Sequence, residues 1–113
     1  MKEPSAGVHR YGDTWKVEES LESLNARIHD GAPIELLIDR ARTYRELLFE
    51  ETYPQARPQQ GEWTLEFGSG VGWIMQAMLE KYPITRAVGL DISENMIARA
   101  TERLQDARAS FIH

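Results

Sequence analysis

The sequence contains no cysteine, and this absence removes several kinds of chemistry at once. A chain without thiols forms no disulfide bond, has no thiolate nucleophile and builds no cysteine-ligated zinc site. Disulfides accumulate in oxidising compartments, so a chain that uses none fits a reducing cytoplasm. We therefore expect a cytoplasmic protein.

The sequence also lacks long apolar runs and clusters of basic residues. No stretch approaches the roughly 20 apolar residues that a membrane-spanning helix requires, and the N-terminal MKEPSAG lacks the apolar core of a signal peptide. The net charge is −5, and residues 1–60 and 61–113 each contain more acidic than basic residues. Nucleic-acid binding depends on clustered lysine and arginine. We therefore expect neither a membrane nor a nucleic acid as the main partner.

The three histidines, His9, His29 and His113, show no metal-ligand spacing. We expect them on the surface or in loops, and we predict no metal site. Adjacent acidic residues such as Glu18 and Glu19 diverge around a helix, so they too are expected to face solvent.

The first half of the chain has the pattern of a helical segment. Apolar residues recur at helical spacing within residues 15–29 and predict a first helix, and Pro33 suits the first position of a second. Within residues 53–62, proline, glutamine and glycine predict a connector. We assign residues 1–60 to an N-terminal helical segment and linker. The apolar face predicted for the second helix comprises Ile34, Leu37, Ile38, Ala41, Tyr44 and Leu48.

From Trp63 onward the apolar residues follow the period of a strand. Trp63, Leu65 and Phe67 alternate with Thr64 and Glu66, and three glycines follow directly. Beyond the glycines, the pattern predicts a helix over residues 71–82 and a strand over 87–91. A second helix, capped by Ser93, and a strand over 109–113 follow. The buried face predicted for that helix comprises Met96, Ile97, Ala100 and Leu104.

The alternation of strands and helices in residues 61–113 predicts an α/β fold. Strands joined through helices run parallel, with right-handed crossovers. The predicted sheet has three strands and two crossover helices, and the N-terminal helical pair precedes it.

The glycine loop, Gly68 to Gly72, follows the first strand in the stretch LEFGSGVGW. It departs from the dinucleotide-binding pattern G-x-G-x-x-G because Trp73 stands at the third glycine, and no Gly-Lys-Ser/Thr of a P-loop is present. Glu66 would also oppose a phosphate, since two unit charges about 4 Å apart interact by about 4 kcal/mol at an effective dielectric of 20. The loop therefore favours a ligand that carries positive charge.

Two motifs resemble those of one enzyme family. EFGSGVG, residues 66–72, resembles motif I, [D/E]-x-G-x-G-x-G, of the class I S-adenosylmethionine-dependent methyltransferases. GLDISENMIARA, residues 89–100, resembles the next motif of that family, in which an acidic residue ends the second strand before a helix. The resemblance implies a Rossmann-like sheet and S-adenosylmethionine as cofactor.

The resemblance also implies roles for individual residues. Gly68, Gly70 and Gly72, with Ser69 between them, would let the backbone approach the methionine part of the cofactor, while Glu66 supplies negative charge nearby. The carboxylate of Asp91 would accept hydrogen bonds from the ribose hydroxyls. Ile92 would pack on the adenine ring, and Met96 would touch the same ring.

Other roles remain open for these residues. Glu66 is also suited to accept N–H bonds from the glycine turn, and Asp91 to cap the end of a strand. Met96 is equally suited to core packing, and the glycines to an ordinary tight turn. In the aromatic N-terminal stretch, Tyr11 and Trp15 are candidates for a lid over the cofactor, although a role in helix packing is favoured.

The resemblance covers residues 61–113, whereas the family's sheet has several further strands. The acceptor pocket and any general base would lie among those strands, so we predict no catalytic residue and leave the methyl acceptor open. We expect an incomplete sheet, and hence either part of a longer methyltransferase or a chain that self-associates or is completed by a second chain. The alternatives are a non-catalytic interaction module and, less favoured, a fragment of an NAD-dependent oxidoreductase.

Overall fold

The computed structural model of the protein describes residues 18–113. Its elements, in chain order, are helix α1 (Leu21–His29), helix α2 (Ile34–Glu46), a π-helical turn (Leu47–Thr52), a 3₁₀ turn (Pro54–Ala56), strand β1 (Trp63–Phe67), helix α3 (Trp73–Lys81), strand β2 (Arg86–Leu90), helix α4 (Glu94–Arg103) and strand β3 (Ala109–Ile112). The predicted order of elements is confirmed. None of the helices within these residues is long and apolar enough to cross a membrane.

Local capping explains where two of the helices begin. The Ser20 side chain accepts a hydrogen bond from the Ser23 amide at 3.1 Å and starts α1. Ser93 accepts one from the Met96 amide at 3.1 Å and starts α4, as predicted. Each bond satisfies an N–H group that has no partner inside its helix. Pro33, by contrast, is the N-cap of α2 and lies one residue before the helix.

Helix α2 buries less of its predicted apolar face than its sequence suggests. Leu37 and Ala41 are buried, whereas Ile34 and Tyr44 are exposed. Polar contacts also attach the helix to α3, since Arg45 donates to the carbonyl oxygen of Ala77 at 2.6 Å. It then continues as a π-helical turn, from which Phe49 packs against the main core.

The three strands form one parallel sheet in the order β1-β2-β3. Successive right-handed crossovers in the same direction place α3 and α4 on the same face of the sheet. This covered face carries small residues on β2, Ala87 and Gly89, next to Phe111 of β3. The main core lies between it and the helices and is formed by Met75, Met78, Leu79, Tyr82, Ile84 and Ala87.

The opposite face of the sheet is apolar and exposed within the described residues. On β1, Trp63 is 66% exposed, Leu65 56% and Phe67 77%. The predicted alternation of β1 is therefore confirmed, but Thr64 and Glu66, not the apolar residues, face the helices. The outer edge of β1 also has no paired strand among residues 18–113.

Candidate cofactor site at the carboxyl end of the sheet

The glycine loop is held against the end of β2 by backbone hydrogen bonds. The Gly68 and Ser69 amides both donate to the Leu90 carbonyl oxygen, at 2.7 and 3.0 Å. Gly68 and Gly70 have φ angles of 68° and 56°, a left-handed conformation that glycine adopts without steric cost. A Cβ built at either position would have no atom within 4 Å. The backbone at these two glycines therefore borders open space.

Asp91 joins the glycine loop to the start of α4. One oxygen of its carboxylate accepts a hydrogen bond from the Gly70 amide at 2.8 Å, and the other accepts one from the Ser93 amide at 2.8 Å. These two bonds fix the orientation of the carboxylate. Two ionised oxygens offer about four acceptor positions, so two further donors can be accommodated.

A cavity of about 620 Å³ opens beside this carboxylate. It lies at the carboxyl ends of the parallel strands, where open α/β sheets commonly bind their ligands. Five of the eight residues predicted from the sequence line it: Gly68, Gly70, Asp91, Ile92 and Met96. The remaining lining residues are Phe67, Leu90 and His113.

These three additional residues were missed as site residues by the sequence analysis. His113 is exposed, as predicted, but its Nε2 also lies 3.1 Å from the Ile92 carbonyl oxygen at the cavity. Phe67 ends β1 and Leu90 ends β2. The signal that could have identified them is positional, because the last residues of neighbouring parallel strands meet at one edge of the sheet.

Ser69 and Gly72, also predicted as cofactor-binding residues, do not line the cavity. Ser69 is buried, and its Oγ would lie 2.7 Å from a Cβ at Gly89. Gly72 is the N-cap of α3, with φ of 88°, and a Cβ there would lie 3.1 Å from the Phe111 ring. Both residues thus let the loop approach the sheet closely.

Glu66 lies on the helix-covered face and lines a second cavity of about 390 Å³. Its Oε1 is buried and has no hydrogen-bond partner among the described residues. Burial, with a smaller contribution from the negative charge of Asp91, raises the pKa of Glu66 to about 7. The alternative role for Glu66 was to accept hydrogen bonds from the amides of the glycine turn. The Gly68 amide donates to the Leu90 carbonyl oxygen instead, and the Gly70 amide to the Asp91 carboxylate.

Helix α1 packs behind the cavity. Leu24, only 1% exposed, forms a buried cluster with Val71 of the loop and Met96 of α4. The Glu19 amide donates to the Asn95 side chain at 3.0 Å. Met96 is buried in this cluster and also lines the cavity, so core packing is observed and contact with the adenine ring stays a prediction. The lid candidates Tyr11 and Trp15 lie outside the described residues.

Several solved structures are similar to this chain. A chain from the Haloferax volcanii complex that contains the Trm112 methyltransferase activator aligns at 23% identity with a TM-score of 0.48 and covers 69% of this chain and 36% of that chain. YjhP from E. coli aligns at 25% identity with a TM-score of 0.47, covering 77% and 32%. A Geobacter sulfurreducens S-adenosylmethionine-dependent methyltransferase, solved with S-adenosyl-L-homocysteine, aligns at 25% identity with a TM-score of 0.46, covering 77% and 31%.

These alignments leave most of the matched chains uncovered, because this chain spans about a third of their length. No curated protein matches the sequence. A family model described as a methyltransferase domain matches residues 64–113, which include both motifs and all three strands except Trp63. Residues 64–113 of this chain are therefore similar to the methyltransferase domain family.

Proposed function

We propose that the cavity beside Asp91 binds S-adenosylmethionine and that the chain is the cofactor-binding portion of a methyltransferase. The observation that carries this proposal is the Asp91 carboxylate, which the Gly70 and Ser93 amides hold at the mouth of a cavity within the methyltransferase segment. The complete enzyme would transfer the methyl group to an acceptor that residues 18–113 do not identify.

The residues at the cavity suit the chemistry of this cofactor. Asp91 retains acceptor capacity for the two ribose hydroxyls, and Ile92 offers an exposed apolar surface for the adenine ring. Gly68 and Gly70 present backbone without side chains. The Oε1 atom of Glu66, which has no partner among residues 18–113, would favour a cationic group nearby, because a buried charge is costly unless it is paired.

S-adenosylmethionine, when bound, would supply an electrophilic methyl group: an acceptor nucleophile would bond to the methyl carbon as the carbon–sulfur bond breaks and S-adenosylhomocysteine leaves. Methyl transfer depends strongly on the alignment of these groups, and residues at the cavity provide the cofactor half of that alignment. We assign no catalytic residue and no general base to the chain. The roles of all eight predicted residues toward the cofactor remain predictions, as does the cytoplasmic location.

The experiment is calorimetric titration of the purified chain with S-adenosylhomocysteine, with NAD as the control ligand. We expect wild type to bind and Asp91→Ala to lose binding. Asp106→Ala is the matched control. Asp106 accepts a hydrogen bond from the Arg108 amide at 2.9 Å, as Asp91 does from the Ser93 amide, but Asp106 does not line the cavity. Folded wild-type chain that binds NAD but not S-adenosylhomocysteine would overturn the proposal in favour of an oxidoreductase fragment.

A second proposal concerns association. The apolar face of β1, with Trp63, Leu65 and Phe67 exposed, and its unpaired edge favour contact with another polypeptide. We propose that this side of the sheet self-associates when the chain stands alone. An interaction module without cofactor binding would show the association but no calorimetric signal with S-adenosylhomocysteine.

A further inference from the structure

Arg103, the last residue of α4, reaches the glycine loop. Its Nε donates to the Val71 carbonyl oxygen at 3.0 Å. The guanidinium lies over the ring of Trp73, 3.9 Å from the ring centroid, and also donates to the side-chain oxygen of Gln76. One side chain thus contacts both the end of the loop and the first turn of α3.

The two halves of the glycine loop are held in different ways. The first half, Gly68 to Gly70, is bonded to the Leu90 carbonyl oxygen and the Asp91 carboxylate. In the second half, Val71 lies between two glycines with positive φ, and glycine loses more conformational freedom on ordering than any other residue. The Arg103 contact to the Val71 carbonyl oxygen restrains the backbone at this point.

Arg103 occupies a costly position for a cation. Burial lowers the pKa of Arg103 to about 10, so the side chain remains charged at neutral pH. Among residues 18–113 it has no carboxylate partner, and its Nη2 is buried without a hydrogen bond. A partly buried cation with no counter-ion among these residues is unfavourable for folding. Its contacts therefore point to a role in fixing the loop.

We propose that Arg103 is a positioning residue, which holds the second half of the glycine loop and thereby sets the affinity of the cavity for S-adenosylmethionine. This inference rests on the function proposed above. Arg103 does not line the cavity, so its effect passes through Val71 to Gly70, whose amide holds the Asp91 carboxylate.

The test compares Arg103→Met with Arg108→Met. Arg108 is a matched control because it also donates to a backbone carbonyl oxygen, that of Leu79 at 3.2 Å, but near the other end of α3. In calorimetric titrations with S-adenosylhomocysteine, we expect at least a tenfold weaker affinity for Arg103→Met and less than a twofold change for Arg108→Met. Arg103→Lys should recover part of the loss, since its ammonium can donate to the Val71 carbonyl oxygen.

Amide hydrogen exchange of the ligand-free chains separates this inference from the proposed function. The Ser69 and Gly70 amides are hydrogen-bonded, and we expect their exchange to accelerate in Arg103→Met but not in Arg108→Met. Failure of wild type to bind would overturn the proposed function and leave these exchange rates as the test of loop positioning. Equal effects of the two variants, in affinity or in exchange, would overturn the role of Arg103.

Discussion

The backbone amide of Gly70 donates a 2.8 Å hydrogen bond to the carboxylate of Asp91, which lies 21 residues later in the chain. This bond connects the two methyltransferase-like motifs at one point in space. It uses part of the carboxylate to hold the glycine loop and leaves further acceptor positions toward the cavity. The same acid can therefore organise the site and contact a ligand.

The raised pKa of Glu66 predicts an unusual pH dependence of stability. Its carboxyl titrates near 7 in the folded state and near 4.5 when unperturbed, so the folded chain binds more protons between these values. The unfolding free energy should consequently fall as pH rises through this window, by at most about 3 kcal/mol from this group. Glu66→Gln should abolish this component and make the chain more stable than wild type at pH 8.

Urea unfolding at a series of pH values from 4 to 8 measures the difference between Glu66→Gln and wild type. Glu51→Gln is the control, since Glu51 is an exposed glutamate of the π-helical turn. If the difference in unfolding free energy between wild type and Glu66→Gln stays constant from pH 4 to 8, the raised pKa of Glu66 is contradicted.

Gly89→Ala should destabilise the protein by overpacking. A Cβ at Gly89 would lie 2.7 Å from the Ser69 Oγ and 2.8 Å from Cδ1 of Phe111, distances at which one of these groups must move. We expect a loss of about 1–3 kcal/mol in the free energy of unfolding. Urea denaturation checks this value, and an unchanged midpoint would mean that Ser69 and Phe111 adjust freely.

Leu24→Ala should weaken the packing of α1 against the glycine loop and α4. Leu24 is 1% exposed and packs with Val71 and Met96, so its truncation should cost about 2–4 kcal/mol. Leu36→Ala is the matched control, because Leu36 of α2 is 41% exposed and should change stability by less than about 0.5 kcal/mol. Chemical denaturation of both variants provides the comparison. Similar losses in the two would show that α1 contributes no more than a surface helix.

The exposed face of β1 predicts concentration-dependent association. We expect sedimentation velocity to show dimers or larger species of wild type, and Leu65→Lys to shift the distribution toward monomer, because a charge there opposes burial of the apolar face. Leu36→Lys, a comparable change at an exposed leucine of α2, should have no effect. Wild type that remains monomeric at high concentration would contradict self-association through this face.

The positions of helices and strands could be predicted closely from the sequence because their signals are local. The Ser93 cap acts on an amide three residues away, and the alternation of β1 is a property of five consecutive residues. The sequence pattern could not show which face of β1 is covered, since that depends on where α3 and α4 pass. Likewise, the lining of the cavity by His113 depends on β3 lying beside β2, a contact between segments far apart in the chain.

The sequence by itself determined the order of elements, the glycine turn and the similarity of residues 64–113 to a methyltransferase domain family. Only the tertiary structure separated the motif residues by role. Gly68, Gly70 and Asp91 border the cavity, whereas Ser69 and Gly72 allow close packing and Glu66 lines the second cavity with a raised pKa. The physical reason is that a motif specifies residue types and spacing, while burial, charge and open space at each residue depend on segments that only the fold brings together.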